Sequence, residues 1–113
     1  MRVFAIFAMS AVLAAAATQA LPHQAASGWD YPFYCCSGAD CARIEAEAVR
    51  ETPTGFIVTV QPGKHPMWPA ERRETLVLAI PHNKVMPAPD GQWHLCINDT
   101  GELLCFFAPG GDS

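Results

Sequence analysis

Short apolar runs and stretches of period-two alternation, separated by Pro- and Gly-containing turns, recur along this chain, the signature of strands. Residues 56–60, FIVTV, are β-branched and aromatic and make the strongest strand in the sequence. Thr52-Pro53-Thr54-Gly55 precedes them as a turn, and before it Ile44, Ala46 and Ala48 alternate with Arg43, Glu45 and Glu47. The pattern predicts a β-hairpin over residues 43–60. Because Ala, Glu and Arg also favour helix, a short helix near 42–50 is the alternative.

Pro62, Gly63, Pro66 and Pro69 then interrupt regular structure, so residues 61–73 form the longest loop. Residues 74–80 read as a buried strand closed by Pro81, and residues 84–86 as a further short one. Turns at residues 88–91 and 98–101 flank a strand at 92–97, with Trp93, Leu95 and Ile97 on one face and His94 and Cys96 on the other; the chain returns over residues 102–107. These elements predict a mainly β protein: a small antiparallel domain of about five or six strands.

The N-terminus breaks the rhythm. Arg2 is followed by apolar residues from Val3 to Met9 and from Ala11 to Ala17, separated only by Ser10, and then by Thr18-Gln19-Ala20. One positive charge, a short apolar core and small residues at the cut describe an export signal cleaved after Ala20, and the apolar run falls short of the ~20 residues that span a bilayer. The expected organisation is a signal peptide at 1–20, a flexible lead-in at 21–28, one domain at 29–108 and a disordered tail at 109–113. Periplasm or extracellular space is the expected location.

Composition narrows the partners. The chain carries 7 basic and 11 acidic residues, and removing residues 1–20 takes away only Arg2, leaving 6 against 11 and a net charge of −5. Nucleic acid and anionic membrane surfaces are therefore poor partners for the mature protein. A protein or an envelope ligand is the expected one.

The five cysteines, Cys35, Cys36, Cys41, Cys96 and Cys105, read as two disulfides and one remaining thiol. They fall into an N-terminal and a C-terminal cluster, and a bridge between clusters is worth roughly 4 kcal/mol of unfolded-chain entropy. Parity sharpens this. If residues 98–102 form a three-residue turn with Gly101 as its bulge, Cys96 faces Leu104 and Cys105 points to the opposite face, so each reaches back to a different N-terminal cysteine. A two- or four-residue loop would instead place Cys96 and Cys105 on one face, and Cys36 with Cys41 could close locally. Neighbouring Cys35 and Cys36 are too close for a relaxed bridge.

Three groups could carry chemistry. The cysteines at 35, 36 and 41 offer a redox or metal-binding sulfur, although no C-x-x-C pair is present. His65, Met67, His82 and Met86 are residue types that hold copper or zinc, but at spacings without a metal motif, so no cofactor is expected unless this set converges. Lys64, His65, Met67, Trp68, Arg72 and Arg73 lie on or beside the proline-stiffened loop, which either docks a partner or folds Trp68 back onto the core. Four rings at Trp29, Tyr31, Phe33 and Tyr34 precede the first cysteine pair and are expected to pack. No G-x-S-x-G, paired carboxylate framework or phosphate-binding glycine loop points to an enzyme.

The segments WDYPFYCCSGADC (29–41), PDGQWHLC (89–96) and GELLC (101–105) together resemble small secreted cysteine-containing bacterial proteins of unknown function. The resemblance implies an exported, cysteine-bearing domain and carries over no activity and no functional residue. The reading is a non-enzymatic exported binding or structural module. A periplasmic copper- or zinc-binding protein and a thiol redox protein are the alternatives.

Overall fold

The computed structural model describes residues 23–36 and 38–110. The predicted signal peptide at 1–20 and residues 111–113 of the predicted tail lie outside them. The chain forms strands β1 (Cys41–Ile44), β2 (Val49–Thr52), β3 (Gly55–Val60), β4 (Leu76–Pro81), β5 (Val85–Ala88), β6 (Trp93–Ile97) and β7 (Leu103–Pro109), with 3-10 turns at Ala46–Ala48 and His82–Lys84. The protein is mainly β, built from a four-stranded sheet in the order β1-β6-β7-β5 and a three-stranded sheet in the order β2-β3-β4. All neighbours are antiparallel except β5 and β7, which run parallel.

The hairpin predicted over 43–60 forms, but its first arm is divided. β1 pairs with β6 and β2 with β3, and the 3-10 turn at Ala46–Ala48 carries the chain from one sheet to the other. Gly55 ends the turn because β4 passes directly beneath it: a Cβ there would run into the Ile80 carbonyl oxygen and lie 2.8 Å from Pro81 Cα, and its φ of +155° suits glycine.

One apolar cluster fills the space between the sheets. Ile44, Val58, Val60, Ile80, Leu95, Ile97 and Phe106 come from both sheets, and Trp68 closes the cluster from the long loop. Each large buried side chain contributes about 1.5–3 kcal/mol. The four-stranded sheet also buries its other face, where Cys41, Cys96, Cys105 and Phe107 meet Ala25, Tyr31, Cys35 and Cys36. Residues 23–36 cover that face. The expectation of a flexible lead-in at 21–28 is therefore corrected for residues 23–28. Ala25 is buried, its N–H donates to the Trp29 carbonyl at 2.7 Å, and the Tyr31 N–H donates to the His23 carbonyl at 2.8 Å. A sheet with apolar side chains on both faces needs a second cover, and this turn supplies it. At the other end, Pro109 belongs to β7 rather than to a tail.

Two disulfides join the clusters, Cys35 to Cys105 and Cys41 to Cys96, and Cys36 stands outside both. Cys96 and Cys105 each reach back to a different N-terminal cysteine, as expected, yet the parity premise fails. The bulged turn forms, with the Asn98 N–H donating to the Glu102 carbonyl and Gly101 at φ +84°. A second irregularity then shifts the register between Ile97 and Cys96, which places Cys105 rather than Leu104 opposite Cys96. Leu104 is the additional residue and is exposed. Both cysteines thus share the face covered by residues 23–36, where their partners lie. Two such long-range bridges indicate an oxidising, extracellular-type environment, and among the described residues no helix is long and apolar enough to cross a membrane.

Candidate functional site

Residues 29–36 separate their rings by direction. Trp29 and Tyr31 turn inward: Trp29 makes edge contacts at 4.8–4.9 Å with the rings of His94, Tyr31 and Phe107. Phe33 and Tyr34 turn outward and are 86% and 75% exposed, against the expectation that all four rings pack. The reason is local. The Cys35 N–H donates to the Pro32 carbonyl at 2.9 Å, and this tight turn leaves its two central side chains on the convex side. Tyr31 fixes one end of the turn and the Cys35–Cys105 bridge the other. The exposed rings have light lateral support: Phe33 lies 6.4 Å from the His23 ring, and the Tyr34 hydroxyl reaches Met86 Sδ at 3.7 Å.

Beneath the turn runs a chain of polar contacts that the sequence did not announce. The Tyr31 hydroxyl lies 2.8 Å from His94 Nδ1, and His94 Nε2 lies 2.8 and 2.9 Å from the two Asp90 carboxylate oxygens. In the neutral imidazole the carboxylate requires the proton on Nε2, so Nδ1 accepts from Tyr31. Ser27 Oγ–H and the Gln92 N–H also donate to Asp90. Burial works to raise the Asp90 pKa, but the hydrogen bonds from His94, Ser27 and Gln92 outweigh it and hold the carboxyl below its ordinary value. Burial first, and then the neighbouring Asp90 charge, push Tyr31 up to about 12. A tyrosine that is 5% exposed and keeps its phenolic proton is a brace rather than a nucleophile. The chain of bonds ties the N-terminal cover to the 88–91 turn and to β6.

Asp90 and Ser27 were missed because sequence reading assigned them to a turn and a tail. One local signal existed: Asp90, four residues before His94, sits in a P-D-G turn where its carboxylate can accept the Gln92 N–H. Nothing local pointed to Ser27, whose partner is 63 residues away.

The long loop answers its two readings for Trp68. That ring is 4% exposed and donates through Nε1 to the Glu74 carbonyl at 2.9 Å. The Arg72 guanidinium lies 4.3 Å above the ring and donates to the Asp99 carbonyl. His65 is also buried: its Nδ1 accepts the Met67 N–H, and its Nε2–H donates to the Leu95 carbonyl at 2.8 Å. Burial lowers its pKa against the opposing pull of Leu95 and Asp40. Lys64 and Arg73 are exposed and Met67 is half-buried, so the apolar centre of the proposed docking loop faces the core instead. Lys64 also borders a cleft of about 380 Å³ with Arg43, Glu45 and Glu47, in which Arg43 and Glu45 form an ion pair at 2.9 Å.

The four residues considered as metal ligands do not converge. Met67 packs with the inter-sheet cluster and Met86 with the disulfide cluster; His82 is exposed and sits against Phe56; both ring nitrogens of His65 are engaged. Among the described residues no group of three His, Cys, Asp or Glu side chains is placed to hold a metal ion. Cys36 is fully buried, with its Sγ–H directed at the Gly38 carbonyl at 3.0 Å. No family model matches the chain, and comparison with curated proteins and with solved structures returns no match.

Proposed function

We propose that this protein is an exported, non-enzymatic binding module that holds a protein or envelope ligand through the Phe33–Tyr34 turn. The observation that carries the reading is the exposure of those two rings, 86% and 75%, on a segment held at both ends by a buried tyrosine and a disulfide. Aromatic side chains on a rigid turn bring large contact area with little ordering cost, which is the character of a binding hot spot. Export by the leader at 1–20 accords with the two disulfides, which persist only in an oxidising compartment.

A photo-crosslinking residue in place of Phe33, introduced in the producing cell, tests this directly. A discrete adduct with another molecule is expected at position 33, none at the exposed control Glu51, and loss of the adduct when Tyr34→Ala is added. Equal labelling at both positions, or no adduct at 33, would remove the proposal.

A further inference from the structure

A sheet edge presents backbone N–H and C=O groups that no neighbouring strand occupies, and among the described residues there are four: β1 and β5 in one sheet, β2 and β4 in the other. Three are guarded. β1 has four residues and carries Arg43, β5 has four and contains Pro87, and β2 carries Arg50 and Glu51. β4 differs, with six residues, LVLAIP, no charge, and Val77 61% exposed.

Its hydrogen-bonding phase follows from one contact. The His82 N–H donates to the Thr54 carbonyl at 3.2 Å, so that pair is bonded, and alternation along the register makes Ile80–Phe56, Leu78–Val58 and Leu76–Val60 the bonded pairs that follow. The N–H and C=O groups of Val77 and Ala79 therefore point away from β3. Pro81, paired with Gly55, falls at an outward position too, where its missing N–H takes no bond from the sheet.

We propose that β4 pairs antiparallel with β4 of a second copy of this chain, about a two-fold axis at Leu78, giving one continuous six-stranded sheet. Complementarity of the Glu74 carboxylate with the His82 ring and the Lys84 ammonium beside it selects this occupant and this register. Glu74 lies four residues before Leu78 and His82 four after, both exposed, so the symmetry sets Glu74 of each copy opposite His82 of the other with exposed Lys84 nearby. Val77 then faces Ala79 of the other copy and the two exchange their outward groups, while the Thr75 N–H meets the Pro81 carbonyl. An axis at Val77 would put Glu74 opposite Ile80, and one at Ala79 would run Thr75 against the 3-10 turn at His82–Lys84. A dimer formed this way carries two aromatic turns, which raises the apparent affinity for a partner with repeated sites. The pairing itself stands independently of what those turns bind.

Sedimentation velocity on protein expressed from the whole chain in an oxidising compartment tests it. A contact limited to one strand is small, so the range runs to hundreds of micromolar. A concentration-dependent dimer is expected, weakened by salt and by about tenfold or more in Ala79→Lys or Val77→Pro. Glu74→Lys should weaken it, and adding His82→Glu should restore it. Glu51→Lys on the β2 edge should leave it unchanged, and thermal melts show that each variant is folded. A monomer throughout the range, a dimer that ignores Ala79→Lys or the charge exchange, or one that responds to Glu51→Lys overturns the pairing.

Discussion

Removing the two disulfides, singly and together, tests how far covalent links hold this domain. The bridges close loops of 70 and 55 residues, which taken alone remove about 4.4 and about 4.2 kcal/mol of unfolded-chain entropy. They are nested, however, and that changes the expected values. With Cys41–Cys96 closed, the chain between Cys35 and Cys105 shortens to the six residues from 35 to 41 and the nine from 96 to 105, so the outer bridge adds only about 3 kcal/mol. Either single loss should then cost about 3 kcal/mol and the double loss about 7, more than the two singles combined. Against the roughly 5–15 kcal/mol typical of a folded domain, loss of one bridge leaves a folded protein, while loss of both unfolds it if its stability, as expected for so small a core, lies at the low end of that range. Guanidinium denaturation of Cys35→Ala/Cys105→Ala, Cys41→Ala/Cys96→Ala and the quadruple variant measures this, with Cys36→Ala as common background against thiol exchange. Single costs near 4 kcal/mol that simply add would refute the nesting, and a stably folded quadruple variant would refute the dependence on covalent links.

Two further outcomes follow from particular contacts. Gly55→Ala should destabilise by roughly 3 kcal/mol, because the added Cβ meets the backbone of β4 rather than a side chain that can move; an unchanged denaturation midpoint would show that the hairpin can open there. Tyr31 has its pKa raised from 10.0 to about 12, so its contribution is complete below pH 10 and is lost as pH rises through 12, by up to roughly 3 kcal/mol. Tyr31→Phe should be less stable at neutral pH by about 1–3 kcal/mol, since His94 Nδ1 loses its donor. It should lack most of the alkaline loss, and parallel loss in both proteins would assign that transition to another group.

Legibility in the sequence followed the range of the interactions. The β3 strand, its Thr52–Gly55 turn and the β6–β7 hairpin were evident because alternation and turn residues act within a few positions. The division of residues 43–52 between two sheets was not, since the choice depends on β6 lying beside β1 and β3 beside β2. Directions of the four rings at 29–34 were also hidden: aromatic composition says that rings seek burial, while only the turn at Pro32–Cys35 decides which can. The Tyr31–His94–Asp90 chain joins three segments that carry no joint motif, so no spacing rule could find it.

By itself the sequence determined a β-rich domain with two groups of cysteines linked across the chain, because periodicity, turn chemistry and loop-closure entropy are properties of the chain's order. Only the tertiary structure decided that Cys36 lies outside the bridges, that residues 23–28 form part of the core's cover, and that Phe33 and Tyr34 face outward. Those outcomes depend on which surfaces meet when the two sheets and the N-terminal segment pack, and on a single bulge at Leu104 that reverses the face of Cys105.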